Sequence, residues 1–212
     1  MSKEEKSREK ILMAARKEFL EKGFSGASLR RISKEAGVTT GSLYWHFKNK
    51  EELFEFIVGG HYDHIIKLYE EGVNRVFGMT PEEQKLFTGD VGKACMLEML
   101  EYMYQYKTEF KILIDGAAGT RYENMIQQLT EAEIHATQRF IRHMRKLGFE
   151  GRRIRPELEH ILVSSMFSGM LELICHDIPF ETAGECAIGL HDYHNAGWMH
   201  LLNIPDKDIH AD

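Results

Sequence analysis

The chain has 212 residues, with 27 Lys and Arg against 33 Asp and Glu and a formal net charge of −6. That length suits one or two domains and buries a sizeable core. Three cysteines, Cys95, Cys175 and Cys186, without CxxC spacing, exclude a disulfide framework and fit a reduced, cytoplasmic chain. The charge is unevenly shared. Residues 1–50 hold 12 Lys and Arg and 6 Asp and Glu, a net of +6, so the remainder carries −12. A basic head on an acidic body is the electrostatic footprint of a protein that turns one face to DNA.

The predicted elements are all helical. Residues Ser2 to Lys22 read as an amphipathic helix, with Ile11, Leu12, Ala15, Phe19 and Leu20 at helical spacing. Ser2 followed three residues later by Glu5 is a capping box, and Gly23 ends the element. The opening Met1-Ser2-Lys3-Glu4-Glu5-Lys6 leads into this helix and is not a signal peptide. Ser28 is placed to cap a short helix from Leu29 to Ala36; Gly37 follows, and Val38 plugs the turn. Thr39 caps the next helix, on which Leu43 and Phe47 share an anchoring face. Thr40, Ser42, Tyr44, His46, Lys48 and Lys50 are left projecting. Two short helices joined by a glycine-containing turn form a helix-turn-helix, whose second helix enters the major groove.

The pattern Gly23-Phe24-x-x-Ala27-Ser28-Leu29-x-x-Ile32, then Ala36-Gly37-Val38-Thr39-x-Gly41-x-Leu43-Tyr44-x-His46-Phe47-x-x-Lys50-x-x-Leu53, resembles the signature of the TetR (tetracycline repressor) family. It covers about the first quarter of the chain without insertion. Ser33 stands where the family usually has alanine, and Thr39 where serine is common; both are small. The resemblance implies an all-α protein: an N-terminal three-helix DNA-binding domain with a helix-turn-helix, residues 1–49, then a larger helical regulatory domain, residues 50–212, for ligand binding and dimerisation. It implies DNA contacts at Ser28, Arg30, Thr39, Thr40, Gly41, Ser42, Tyr44, His46 and Lys50. Ser28, Tyr44, His46 and Lys50 would mainly hold phosphate. Arg30, Thr39, Thr40 and Ser42 are the better candidates for base edges, Arg30 by a bidentate contact to guanine. Gly41 would let the helix start press close to the DNA backbone.

Beyond residue 49 the elements continue as helices. Asn49 caps one that runs through Leu53, Phe56, Ile57, His64, Ile65 and Leu68 to about Val76, with Glu52 at the capping-box position and Gly59-Gly60 as a candidate bend. Thr80-Pro81-Glu82-Glu83 is a strong helix start. A central helix or pair of helices carries Cys95, Met96, Met99, Tyr102, Met103, Tyr106, Phe110 and Leu113. A further helix holding Tyr122 to Leu147 ends at Gly148; Pro156 opens another, and the last spans roughly Thr182 to Leu202. No apolar run approaches the ~18 residues that cross a bilayer, so no membrane association is expected.

Two features of this body bear on function. The final two helices carry small residues, among them Ser165, Ser168, Gly169, Gly189, Ala196 and Gly197, which let helices approach closely. The resemblance implies a homodimer built there, and a dimer places two reading helices in half-sites about 34 Å or a multiple apart. The central stripe is rich in Met and Tyr, flexible and amphipathic residues. A pocket lined by Met99, Tyr102, Met103, Tyr106, Met125 and Met166 would suit a flat or amphipathic effector; a stripe at this spacing is equally what a plain core provides. Eleven histidines include the pairs His61-x-x-His64 and His191-x-x-His194. Two such pairs on separate helices fall short of the three or four ligands a zinc site needs, so no metal or other cofactor is assigned. No phosphate loop, HExxH, nucleophile elbow or paired catalytic carboxylates occur, so no enzyme is expected. The reading is a regulator, a repressor that binds a pseudo-palindromic double-stranded operator as a homodimer and leaves it on binding an unidentified small-molecule effector. The rival is a DNA-anchored regulator controlled by a partner protein or a metal ion.

Overall fold

The computed structural model describes residues 2–205; Met1 of the opening segment lies outside the described residues. Among the described residues there are nine helices and no strand: α1 (Lys3–Gly26), α2 (Leu29–Glu35), α3 (Thr40–His46), α4 (Lys50–Phe77), α5 (Pro81–Gln105), α6 (Lys107–Gly116), α7 (Met125–Lys146), α8 (Pro156–Cys175) and α9 (Phe180–Leu201). They form two compact units. Among the described residues, one comprises 2–64 with 105–125, the other 65–104 with 126–205. The first half of α4 and the 105–125 segment thus pack with residues 1–49, which the sequence reading had set apart from everything after residue 49.

In the first unit, α1 begins with the expected capping box. The Ser2 hydroxyl accepts the Glu5 N–H at 3.1 Å, and a Glu5 oxygen accepts the Ser2 N–H at 2.6 Å. The helix breaks at Gly23, where φ is +62°, and a last turn follows to Gly26. Ile11, Ala15 and Phe19 are fully buried, and the rings of Phe19 and Phe24 meet Phe54 edge-on at 5.0 and 5.2 Å. Leu20, expected on this face, is 46% exposed: it lies one residue past the Ile11–Ala15–Phe19 line, and Ala14 takes the adjoining buried position. At Gly116 of α6, an added Cβ would lie 3.3 Å from both Gly23 Cα and Phe19 O, so two glycines bring α1 and α6 backbone to backbone.

α2 ends in a Schellman motif. Gly37, at φ +66°, donates to Lys34 O, and Val38 donates to Ser33 O, which satisfies the final carbonyls. α4 starts on Asn49, whose side chain accepts the Glu52 N–H at 2.7 Å. Glu52 departs from the capping-box expectation: it reaches past Asn49 and accepts the Lys48 N–H at 2.6 Å. α4 runs through Gly59-Gly60 without a break in its helical assignment. Gly59 instead makes room, since a Cβ there would lie 2.8 Å from the Tyr122 hydroxyl. Tyr122 is buried and donates to Glu55, which also receives Arg121 Nη2 at 2.6 Å and Nε at 3.1 Å. Phe56, expected inward, is 49% exposed, with the Arg8 guanidinium 4.3 Å above its ring.

In the second unit, α5 opens on the predicted cap: the Thr80 N–H donates to Glu83 at 2.8 Å, and the Thr80 hydroxyl accepts the Glu83 N–H at 3.3 Å. The Met-rich stripe is divided at Tyr106, whose φ of −121° and ψ of 43° separate α5 from α6. Met96, Met99, Leu100, Phe140, Phe167, Met170 and Ile174 are buried. α8 has an 18-residue window of mean hydropathy 1.4, enough by length and composition to cross a membrane, with 33% of it buried. This corrects the expectation of no such segment. Ser164, Ser165, Ser168 and Gly169 interrupt the apolar run yet leave the mean high. A helix packed in a core passes the same test.

Candidate functional site

The turn between α2 and α3 presents α3 outward by its core side. Leu43 is fully buried and Phe47 is 2% exposed, so the opposite face has no covering within the first unit. Thr39 caps α3, its hydroxyl accepting the Ser42 N–H at 3.1 Å. Thr40 Oγ1 lies 3.3 Å from Ser33 Oγ, which itself donates to Arg30 O, so α3 is tied to α2 through two hydroxyls. Ser42 Oγ lies 3.4 Å from Ser7 Oγ on α1. Gly41 is exposed, and a Cβ there would meet nothing closer than 3.9 Å. Nothing inside the protein therefore requires glycine at that position.

Arg30, Thr40, Gly41 and Tyr44 are exposed on this side of the unit, and the Arg30 guanidinium has no hydrogen-bond or ion-pair partner among the described residues. His46 is half-buried with its ring edge-on to Trp45 at 4.8 Å. Two expected contacts sit differently. Ser28 occupies the N-cap position of α2, but its hydroxyl makes no capping bond; its N–H donates to Glu18 at 3.0 Å. Burial works to raise the Glu18 carboxyl, but hydrogen bonds from Arg31 and Ser28 outweigh it and hold the group below the usual carboxylate range. The Lys50 ammonium turns inward, 2.7 Å from Phe24 O and 3.3 Å from Ala27 O, and 4.4 Å from the centre of the Phe24 ring. It closes the carbonyl end of the last turn of α1, where a cation is favoured. Trp45, absent from the expected set, is 66% exposed. Its place four residues after Gly41 puts both on one face, a signal already present in the helical spacing.

The second unit encloses a cavity of about 190 Å³ bordered by α4, α5, α7, α8 and α9. Met99 and Met166 line it. Tyr102, Met103, Tyr106 and Met125 do not: Met103 and Met125 are packed in the cores, and Tyr106 lies in the first unit with its ring 4.4 Å from His61. The cavity sits further towards the start of α5, at Gly89, Gly92, Cys95 and Met96. There the small residues admit α9, since a Cβ at Gly89 would lie 3.1 Å from Asn195 and one at Gly92 would lie 3.2 Å from His191 Nε2. The Gly89-x-x-Gly92 spacing was the available signal, whereas the Met and Tyr content marked the filled part of the helix.

Polar groups enter this cavity from two sides. Glu133 of α7 accepts the Tyr69 hydroxyl at 2.8 Å and the Thr137 hydroxyl at 3.2 Å. Burial pushes its carboxyl above the usual carboxylate range, against those two hydrogen bonds. Burial also pushes the Cys95 thiol up to about 11. His191, His194 and Asn195 of α9 also line it, and burial, followed by the neighbouring His191, lowers His194. The expected small residues at Ser165, Ser168, Gly189, Ala196 and Gly197 are exposed on α8 and α9. Gly169 instead faces inward, with Leu190 Cδ2 3.1 Å from where a Cβ would be. Among the described residues no three His, Cys, Asp or Glu side chains gather as a metal-holding group.

A capped, uncovered short helix braced by the helix before it defines a DNA-binding protein of the helix-turn-helix class. Residues 11–57 match the family model described as bacterial regulatory proteins, tetR family. This match places the N-terminal segment in the tetR family of bacterial regulatory proteins. The HTH-type transcriptional repressor BepR of Brucella suis biovar 1 (strain 1330) is 45% identical over 53 residues, and the match spans only a quarter of either chain. The HTH-type transcriptional regulator YdgC of Bacillus subtilis (strain 168) is 25% identical over 210 residues, 97% of this chain and 87% of that one. Among solved structures, SmeT in complex with triclosan shares the fold, with a TM-score of 0.57, 24% identity and 90% of each chain covered.

Proposed function

We propose that this protein is a repressor that binds a pseudo-palindromic operator as a homodimer and is released when a small molecule fills the cavity of the second unit. The observation that carries the DNA-binding part is the uncovered face of α3 beside the unpartnered Arg30. Residues 1–49 would act as the reading domain and residues 50–212 as the regulatory domain. Arg30, Thr39, Thr40 and Ser42 would meet base edges, Ser28, Tyr44 and His46 phosphate, and Gly41 would admit the DNA backbone. Trp45 joins this set by its exposure.

The homodimer reading draws on α8 and α9. Ile161 is 59% exposed and Tyr193 75% exposed among the small residues Ser165, Ser168, Ala196 and Gly197, an apolar surface of the kind that marks an interface. The effector reading draws on the cavity, and on SmeT, a protein of the same fold whose solved structure holds triclosan. α4 supplies Lys50 to His64 to one unit and lines the cavity with Tyr69, Gly72, Val73 and Val76 in the other. A ligand that alters its path would bias DNA binding only by its differential affinity for the two states.

A footprint of the purified protein on DNA flanking its own gene tests the proposal. The expected result is a protected pseudo-palindrome overlapping a promoter. Salt-sensitive binding without a protected site would count against local repression.

A further inference from the structure

The cavity's polar groups carry a further inference, which rests on the reading of that cavity as the effector site. Glu133 is the sole carboxylate among the described residues that line it, and no Lys or Arg lines it. Its two oxygens receive one hydrogen bond each, from the neutral hydroxyls of Tyr69 and Thr137. A carboxylate offers about four acceptor positions, so half of its capacity is unused, and its charge has no counter-ion. A buried charge is tolerated when it is paired and hydrogen-bonded and is costly otherwise.

The surroundings suit one ligand chemistry. Phe77, Phe140, Phe167 and Trp198 line the same space; aromatic faces attract cations and pack against apolar bodies. No Lys or Arg lines the cavity to hold an anion, and residues 51–212 as a whole are acidic. Burial keeps His194 towards its neutral form, so it does not repel a positive group. The cavity volume of about 190 Å³ exceeds the roughly 150 Å³ that accommodates benzene.

We propose that the cavity takes a small organic cation, an aromatic or apolar body bearing one protonated amine, with the ammonium against Glu133 and the body among the rings. The ammonium supplies the missing counter-charge and fills the unused acceptor positions. The imidazoles of His191 and His194 and the amide of Asn195 meet the far end.

The test uses the full chain and three probes of nearly one shape: 2-phenylethylammonium, 2-phenylethanol and phenylacetate, titrated by calorimetry at one ionic strength. The cation is expected to bind at least about tenfold more tightly than the alcohol, as charge-assisted hydrogen bonds are the stronger kind, with phenylacetate weakest. Glu133→Gln, its fold checked by a melting curve, is expected to lose the cation's advantage. If the alcohol matches the cation, or the variant keeps the preference, the ligand class is overturned and the cavity survives as an effector site. Should none of the three bind the wild-type chain at millimolar concentration, the cavity reading falls and this inference falls with it. If the variant does not fold, the ranking of the three probes on the wild-type chain decides alone.

Discussion

In the helix-turn-helix most of the positions that shape the motif answer to a neighbour a few residues away. Thr39 caps Ser42, Gly37 supplies a left-handed turn, and Val38 closes onto Ser33. In the cavity the partners come from far along the chain: Tyr69 meets Glu133, and Gly92 lies under His191. The first region specifies itself locally and offers one clean face. The second exists only where five helices converge, and a change at any of them alters it. This difference explains why the helix-turn-helix residues are recognisable as a motif while the cavity-lining residues are not.

The comparison can be broken at several points. The largest effect is expected for Leu43→Ala, which empties a fully buried anchor of α3 and should cost about 2–5 kcal/mol of stability. Met166→Ala, half-buried at the cavity wall, should cost markedly less. Equal losses in denaturant titrations would erase the distinction between a packed anchor and a cavity lining.

Arg30→Ala should leave the melting curve in place and cost about 1–3 kcal/mol of operator affinity, with relaxed preference at one base pair. A loss of the same size on random DNA would reassign Arg30 to phosphate. Thr39→Ala removes the cap of α3 and should cost about 1 kcal/mol of stability; an unchanged melting temperature would show that packing alone holds the helix.

Two carboxyls give opposite responses to pH. Hydrogen bonding from Arg121 holds Glu55 below the usual carboxylate range. Its contribution is present above the unfolded-state value and is lost as pH falls through the folded one. Glu133 is raised by burial, so the folded state keeps its proton longer than the unfolded state. Stability then declines as pH rises from the ordinary carboxylate range through the raised value. Glu55→Gln should flatten the stability profile below the ordinary carboxylate range and Glu133→Gln above it; the same slope change in both would contradict these assignments.

The smallest effect is expected for Lys50→Ala. With its ammonium on Phe24 O and Ala27 O, the variant should melt earlier and keep the salt slope of operator binding. A slope lower by about one unit would return Lys50 to the phosphate contacts that the family resemblance implies.

The fold is largely legible in the sequence. The capping boxes at Ser2 and Thr80, the caps at Thr39 and Asn49, and the glycine at Gly37 are local devices, and each stands where its sequence context puts it. What misled was also specific. Leu20 and Phe56 are apolar yet exposed, Ser28 leaves capping to Glu18, and Lys50 points inward. Met103, Tyr106 and Met125 carry the composition of a pocket without lining this cavity. For Lys50 and Tyr106 the side chain's surroundings depend on a segment distant in sequence.

By itself the sequence determined the helical class, the caps at Ser2, Thr39, Asn49 and Thr80, the helix-turn-helix and the division of charge, because hydrogen-bonded turns and caps close within about four residues. The tertiary structure alone decided which apolar residues are covered, that Gly23 and Gly116 touch, and that a lone carboxylate at Glu133 faces an aromatic cavity. Burial and pairing are properties of segments brought together, and no spacing along one helix records them.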